Sequence, residues 1–103
     1  MEAVKVDRGL LERYPDLQAV GTVGDCMEPA IHSGDVLLVS MMEPLGEGKV
    51  VVVKKPGDAM CRVGVYDGAA GLSLKLRTHD GGAWTASAGC LQGVVVDVLR
   101  REA

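Results

Sequence analysis

Short apolar segments separated by polar or glycine-rich segments make up most of the chain, a pattern typical of strands joined by turns. The segment that precedes them, "DRGLLERY" at 7–14, combines a possible N-cap aspartate, an apolar pair and a stop at Pro15. It therefore predicts one short helix, which Gly9 weakens. Candidate strands follow at about 17–23, 35–41, 48–55, 59–66, 71–77 and 91–100.

Four glycine-containing turns separate these strands: "EPLGEG" at 43–48, "KPGD" at 55–58, "YDGAAG" at 66–71 and "HDGG" at 79–82. The second and third turns are so short that they favour antiparallel hairpins over crossover helices. The sequence thus predicts a mostly β fold with one short N-terminal helix.

Two later segments have more than one interpretation. The segment 81–90, "GGAWTASAGC", is predicted to be a loop of small residues in which Trp84 either marks a binding surface or anchors the loop over the core. The closing segment, "VVVDVLRREA" at 94–103, begins as a continuous apolar strand and then becomes charged. Such a strand is either central in its sheet or paired with another subunit.

Length and composition narrow the function classes. With 103 residues, the chain is expected to form a single domain over 1–103. The net charge is −3 and no Lys/Arg cluster runs along one face, so the sequence lacks the basic footprint of a nucleic-acid-binding domain. Apolar runs such as 50–53 and 94–96 are too short to cross a bilayer.

The number and spacing of the cysteines indicate the redox environment of the protein. Cys26, Cys61 and Cys90 are odd in number, lack metal-ligand spacing and follow no recognisable signal peptide. We therefore expect a reduced, cytoplasmic setting with neither a metal nor a cofactor.

The segment "GDCMEPAIHSGDVLLV" at 24–39 holds the candidate chemistry. It predicts a tight loop around Met27, Glu28 and Pro29, followed by a Gly34-Asp35 turn that leads into an apolar strand. A side chain at Cys26 would be displayed just ahead of this scaffold, where a nucleophile could be placed.

This segment resembles the nucleophile loop of the LexA-like self-cleaving repressors and their relatives in the signal-peptidase superfamily, whose usual form is Gly-Asp-Ser-Met-x-Pro followed by Gly-Asp and an apolar strand. The lead-in "VDRGLLERYPDLQAVGTVGD", the hairpin "GEGKVVVVKKPGDAMCRVG" and the closing "LQGVVVDVLRR" extend the resemblance over nearly the whole chain. The matching loop positions are Gly24, Asp25, Met27, Pro29, Gly34 and Asp35.

The resemblance implies a fold of coiled antiparallel β-ribbons and a role as the C-terminal oligomerisation and regulatory domain of a bacterial or phage repressor. It also implies a homodimer formed through residues 91–100. DNA would be contacted only through a separate helix-turn-helix domain, which is not found in these residues. A signal-peptidase relative would instead need a membrane anchor.

In that family a serine attacks a peptide carbonyl after a neutral, buried lysine has taken its proton. Here Cys26 stands at the serine position, and an ungapped register places Arg62 at the lysine position. A one-residue deletion in the preceding turn would place Cys61 there instead. The backbone N–H groups of Cys26 and Met27 would form the oxyanion hole.

These substitutions leave two interpretations open. Arginine stays protonated, so it cannot act as a base. A nearby guanidinium could nevertheless favour a thiolate on Cys26 and thus a cysteine-dependent peptidase. Alternatively, the site is degenerate and Cys26 is a packing residue. The adjacent acidic residues Asp25 and Glu28 would oppose thiolate formation, which favours the degenerate site.

The remaining candidates add little chemistry. His32 lies in the nucleophile loop, and His79 is expected to be an exposed turn residue. The family cuts its own chain at an Ala-Gly or Cys-Gly bond upstream of the nucleophile, and no such pair precedes Cys26. The pairs 70–71 and 88–89 both follow it, so self-cleavage within these residues is not expected.

Overall fold

The computed structural model describes residues 8–21, 31, 34–57 and 61–99. Within these ranges one short helix precedes seven strands, and a single 3-10 turn, Ala88–Cys90, leads into the last strand. The elements are α1 (Arg8–Arg13), β1 (Gln18–Gly21), β2 (Val36–Ser40), β3 (Val50–Val53), β4 (Arg62–Ala70), β5 (Ser73–Arg77), β6 (Ala83–Ser87) and β7 (Leu91–Leu99).

All seven strands form one sheet in the order β1-β2-β7-β3-β4-β5-β6, and every pairing is antiparallel. The predicted mostly β fold with one short N-terminal helix is confirmed. Valine-rich segments form the central strands β2, β3 and β7, as expected for β-branched side chains on a pleated, buried surface.

The prediction of a loop over 81–90 is wrong, because Ala83–Ser87 forms the edge strand β6, paired with β5 in an uninterrupted register. The mostly small side chains of this segment hide its alternation. Trp84 and Ala86 nonetheless face the core side while Thr85 is exposed, which is the two-residue period of a strand.

The predicted turn at 66–71 lies later in the structure. Strand β4 continues to Ala70, and the turn is reduced to Gly71 and Leu72. A bulge between Tyr66 and Ala69 accommodates one extra residue in β4. Gly68 adopts a φ of 114° within it, a conformation that glycine provides without strain.

Two core clusters lie on opposite sides of the central strands, as the alternation of adjacent residues along β3 requires. The first core cluster contains Ile31, Leu37, Val39, Val52 and Val65. The second core cluster contains Val51, Val53, Leu74, Leu76, Ala86 and Val94.

The closing strand β7 lies inside the sheet, which agrees with the first of its two interpretations. On one side β2 pairs with it from Val94 to Leu99, and on the other side β3 pairs with it only from Leu91 to Val94. Within the described ranges, no strand pairs with this second edge beyond Val94. As far as the described residues show, one backbone edge of β7 is therefore open beyond Val94.

Candidate functional site

The predicted nucleophile loop falls largely outside the described residues. The predictions for Gly24, Asp25, Cys26, Met27, Pro29 and His32 all lie there. The described end of the segment agrees with the sequence: Gly34 adopts a φ of 93° in a turn, Asp35 is buried, and β2 starts at Val36. Ile31, on the same segment, packs in the first core cluster.

Cys61 and Arg62, the two candidates for the base position, point to different sides of the sheet. Cys61 is half-buried and packs against the first core cluster, the one that contains Ile31. Arg62 is exposed, and its Cζ lies 6.0 Å from the centroid of the Trp84 ring. Trp84 itself packs against the second core cluster. The Arg62 side chain thus extends toward the side of the sheet away from Ile31.

None of the four described lysines is buried. Lys54, Lys55 and Lys75 are exposed, and the Lys49 side chain, 40% exposed, forms an ion pair with Glu43 at 2.8 Å. An amine is neutral near pH 7 only when burial or a neighbouring cation lowers its pKa by several units. The described part of the chain therefore holds no lysine in the environment that a neutral general base requires.

An open cavity of about 670 Å³ lies beside the free edge of β7. Apolar side chains from several elements form most of its wall, and a hydrogen-bonded polar group lies at its rim. The lining residues are Leu10, Arg13, Tyr14, Ile31, Glu43, Lys49, Val50 and Val94 to Val98.

The polar rim joins α1 to the segment between β2 and β3. The Tyr14 hydroxyl donates to Glu43 Oε2 at 2.5 Å, and Lys49 Nζ donates to Glu43 Oε1 and to the Pro44 carbonyl oxygen at 2.8 and 2.9 Å. Arg13 lies over the Tyr14 ring, 5.4 Å from its centroid. Sequence reasoning missed this group, because nothing in the spacing of 14, 43 and 49 shows that they meet.

Hydrogen bonding shifts the pKa values of this group in opposite directions. The bonds from Lys49 and Tyr14 hold the pKa of Glu43 below its ordinary 4.5. Its hydrogen bond to that carboxylate raises the pKa of Tyr14 above its ordinary 10.0. Since the folded pKa of Glu43 is depressed, its contribution to stability is present above about pH 4.5 and is lost as the pH falls through the folded value.

We expect Glu43→Gln to remove part of the acid sensitivity of folding. The free energy of unfolding, measured by urea titration between about pH 2 and 6, should fall less steeply in the variant than in the natural sequence. The two curves should converge at the acid end, where Glu43 is protonated in both states. Parallel curves over the whole range would contradict the ionic role of Glu43.

The other candidate residues are not brought together. Cys61 and Cys90 are free thiols that pack against different core clusters. His79 is exposed in the turn before β6, as expected. Searching the described ranges finds no group of three or more metal-ligating side chains, and no helix there has the length and apolar character to cross a membrane.

Comparison with known proteins identifies the family of the chain. No curated protein matches the chain. A family model described as Peptidase S24-like matches residues 1–75, which contain the predicted nucleophile loop, the central hairpin and the start of β5. Because that match covers well over half of the sequence, the chain belongs to the Peptidase S24-like family.

Proposed function

We propose that this chain is a regulatory and oligomerisation domain of a LexA-like transcriptional repressor and that its peptidase site no longer hydrolyses peptide bonds. The protein would act in the cytoplasm, with DNA contacts supplied by another domain. A net charge of −3 supports this division of roles, because a domain that is negative overall is repelled by the phosphate backbone of DNA.

The observation that carries the loss of hydrolysis is that every described lysine is exposed or ion-paired. Lys54, Lys55 and Lys75 are exposed, and Lys49 is paired with Glu43. Arg62, at the base position of the ungapped register, has a guanidinium that stays charged at every pH near neutrality. Among the residues that the structure describes, these lysines and Arg62 therefore offer a thiol at Cys26 neither a proton acceptor nor a group able to protonate a leaving amine.

The free edge of β7 supports the oligomerisation role. Beyond Val94, one row of backbone N–H and C=O groups has no strand partner in the described ranges. An open edge of this kind pairs readily with a strand from another chain. Val95, Val96 and Val98 line the cavity beside it and would supply apolar area to a partner. We place the dimer contact within residues 91–100, with the two β7 strands related by a two-fold axis.

Val96 is the most informative position for a test of this dimer. It is the extra residue of the bulge between Val95 and Asp97, it is half-buried, and it belongs to neither core cluster. A charge there should disturb the partner more than the fold. We expect Val96→Asp to weaken dimerisation about 10- to 100-fold, because an unpaired carboxylate would be covered by the partner.

Sedimentation equilibrium of the natural sequence and the variant measures this change. Thr85→Asp is the matched control, because Thr85 is exposed at the centre of β6, an edge strand at one end of the sheet. The control should dimerise as the natural sequence does, and all three proteins should have the same circular dichroism spectrum. A monomeric natural sequence, or a Val96→Asp variant that dimerises fully, would overturn the oligomerisation proposal.

A further inference from the structure

The side chain of Arg62 lies against the ring of Trp84. Along β4, Val63 and Val65 pack on the first core cluster, whereas Tyr66 packs on the second. Because side chains alternate along a strand, Arg62 belongs with Tyr66 on the second side. Its guanidinium lies 6.0 Å from the Trp84 ring centroid, which is the geometry of a cation–π contact.

Glycine at position 64 makes this contact possible. A Cβ added to Gly64 would come within 2.9 Å of Trp84 Cζ2 and 3.3 Å of Leu76 Cβ, so the indole reaches across β5 and covers the Gly64 backbone. The ring thus spans from the edge strand β6 to β4, two strands away. Arg62 is the neighbour of Gly64 on the same side of β4, because side chains alternate along a strand. Its guanidinium therefore lies over the Trp84 ring.

Among the described residues, the guanidinium of Arg62 has no ionic partner that would compete with Trp84. Within the described ranges Arg62 takes part in no ion pair, whereas Arg77, on β5, is bound to Asp67 at 3.1 Å. Cys61 and Val63 occupy the side of β4 that faces the cluster of Ile31. A side chain that extends from this part of the chain toward Ile31 would therefore belong to residue 61 or residue 63.

We propose that Arg62 is a clamp that fastens the edge strand β6 to β4 through Trp84, and that its charge does not act on the thiol of Cys26. This inference deepens the proposed function, on which its second half rests. The residue that aligns with the catalytic lysine packs on the side of the sheet away from Ile31. The site would then lack both a base and an activating cation.

Two measurements on Arg62→Ala test the proposal together. Trp84 is the only tryptophan, so the tryptophan fluorescence reports on the surroundings of this one ring. We expect the variant to change the emission spectrum and to speed hydrogen exchange of the β6 amides about two- to fivefold, as the loss of an exposed cation–π contact would. The rate of Cys26 alkylation by iodoacetamide, followed by peptide mass mapping from about pH 6 to 10, should be unchanged.

Lys75→Ala is the matched control, because it removes an exposed cation from β5 on the side away from Trp84. It should leave both the fluorescence and the alkylation profile as they are. Arg62→Lys keeps the charge but loses the planar guanidinium, and it should weaken the clamp only partly.

A rise in the pH midpoint of Cys26 alkylation in Arg62→Ala would overturn the proposal, whatever the fluorescence does. Unchanged Trp84 emission and β6 exchange in that variant would overturn it as well. Peptide hydrolysis that depends on Cys26 would defeat the proposed function but would leave the clamp to be judged by the fluorescence and exchange results, so the two failures can be told apart.

Discussion

Replacing Gly93 with alanine is expected to lower the free energy of unfolding by about 3–5 kcal/mol, a large part of the total for a domain of this size. Gly93 has a φ of 153°, a conformation that side-chain-bearing residues rarely adopt. A Cβ at this position would lie 2.6 Å from Val39 Cγ1 and 2.9 Å from the carbonyl carbon and oxygen of Ser40. The main chain of β2 cannot move away without breaking its pairing with β7.

Urea unfolding at neutral pH measures the loss, and Gly21→Ala is the matched control. Gly21 is also in a strand, its φ is not positive, and an added Cβ would meet no heavy atom within 4 Å. The control should change the unfolding free energy by less than about 0.5 kcal/mol. A Gly93→Ala variant as stable as the control would show that β7 does not approach β2 as closely as the structure has it.

Truncation of Leu37 to alanine is expected to cost about 2–5 kcal/mol, because it combines lost burial with a cavity in a packed core. Leu37 has no exposed surface and packs in the first core cluster, next to the Gly34-Asp35 turn. Its loss would loosen the packing of Ile31 in the same cluster. The effect should therefore appear both in stability and in the protection of the β2 amides from hydrogen exchange.

Leu72→Ala is the comparison that isolates burial. Leu72 is 85% exposed in the turn between β4 and β5, so the same chemical change removes very little buried surface. Thermal and urea unfolding of the control should match the natural sequence to within about 0.5 kcal/mol. If the two variants were equally destabilised, the assignment of Leu37 to the core would be wrong.

Much of the fold could be predicted because its strands carry strong local signals. The valine runs of β3 and β7 and the Gly-containing turns placed six of the seven strands within a few residues. Strand β6 was missed because Ala83 and Ala86 give little hydrophobic contrast, and Trp84 suggested a loop anchor. Its pairing with β5 depends on contacts distant in sequence, which outweigh weak local preference.

The site was less predictable, because a sequence alignment does not give the direction in which a side chain points. The ungapped register aligned Arg62 with the lysine position. It cannot show that the guanidinium packs against Trp84, next to Gly64, on the side of the sheet away from Ile31. The polar group of Tyr14, Glu43 and Lys49 was hidden for the same reason. Tertiary contacts between distant segments create both arrangements.

We propose that this family member has lost peptide-bond hydrolysis. Its most direct test is to incubate the natural sequence with a peptide containing an Ala-Gly bond, from about pH 7 to 10, and to follow peptide mass with time. We predict that the rate equals that of the Cys26→Ala variant at every pH. Cleavage at the Ala-Gly bond by the natural sequence, absent from that variant, would contradict the account.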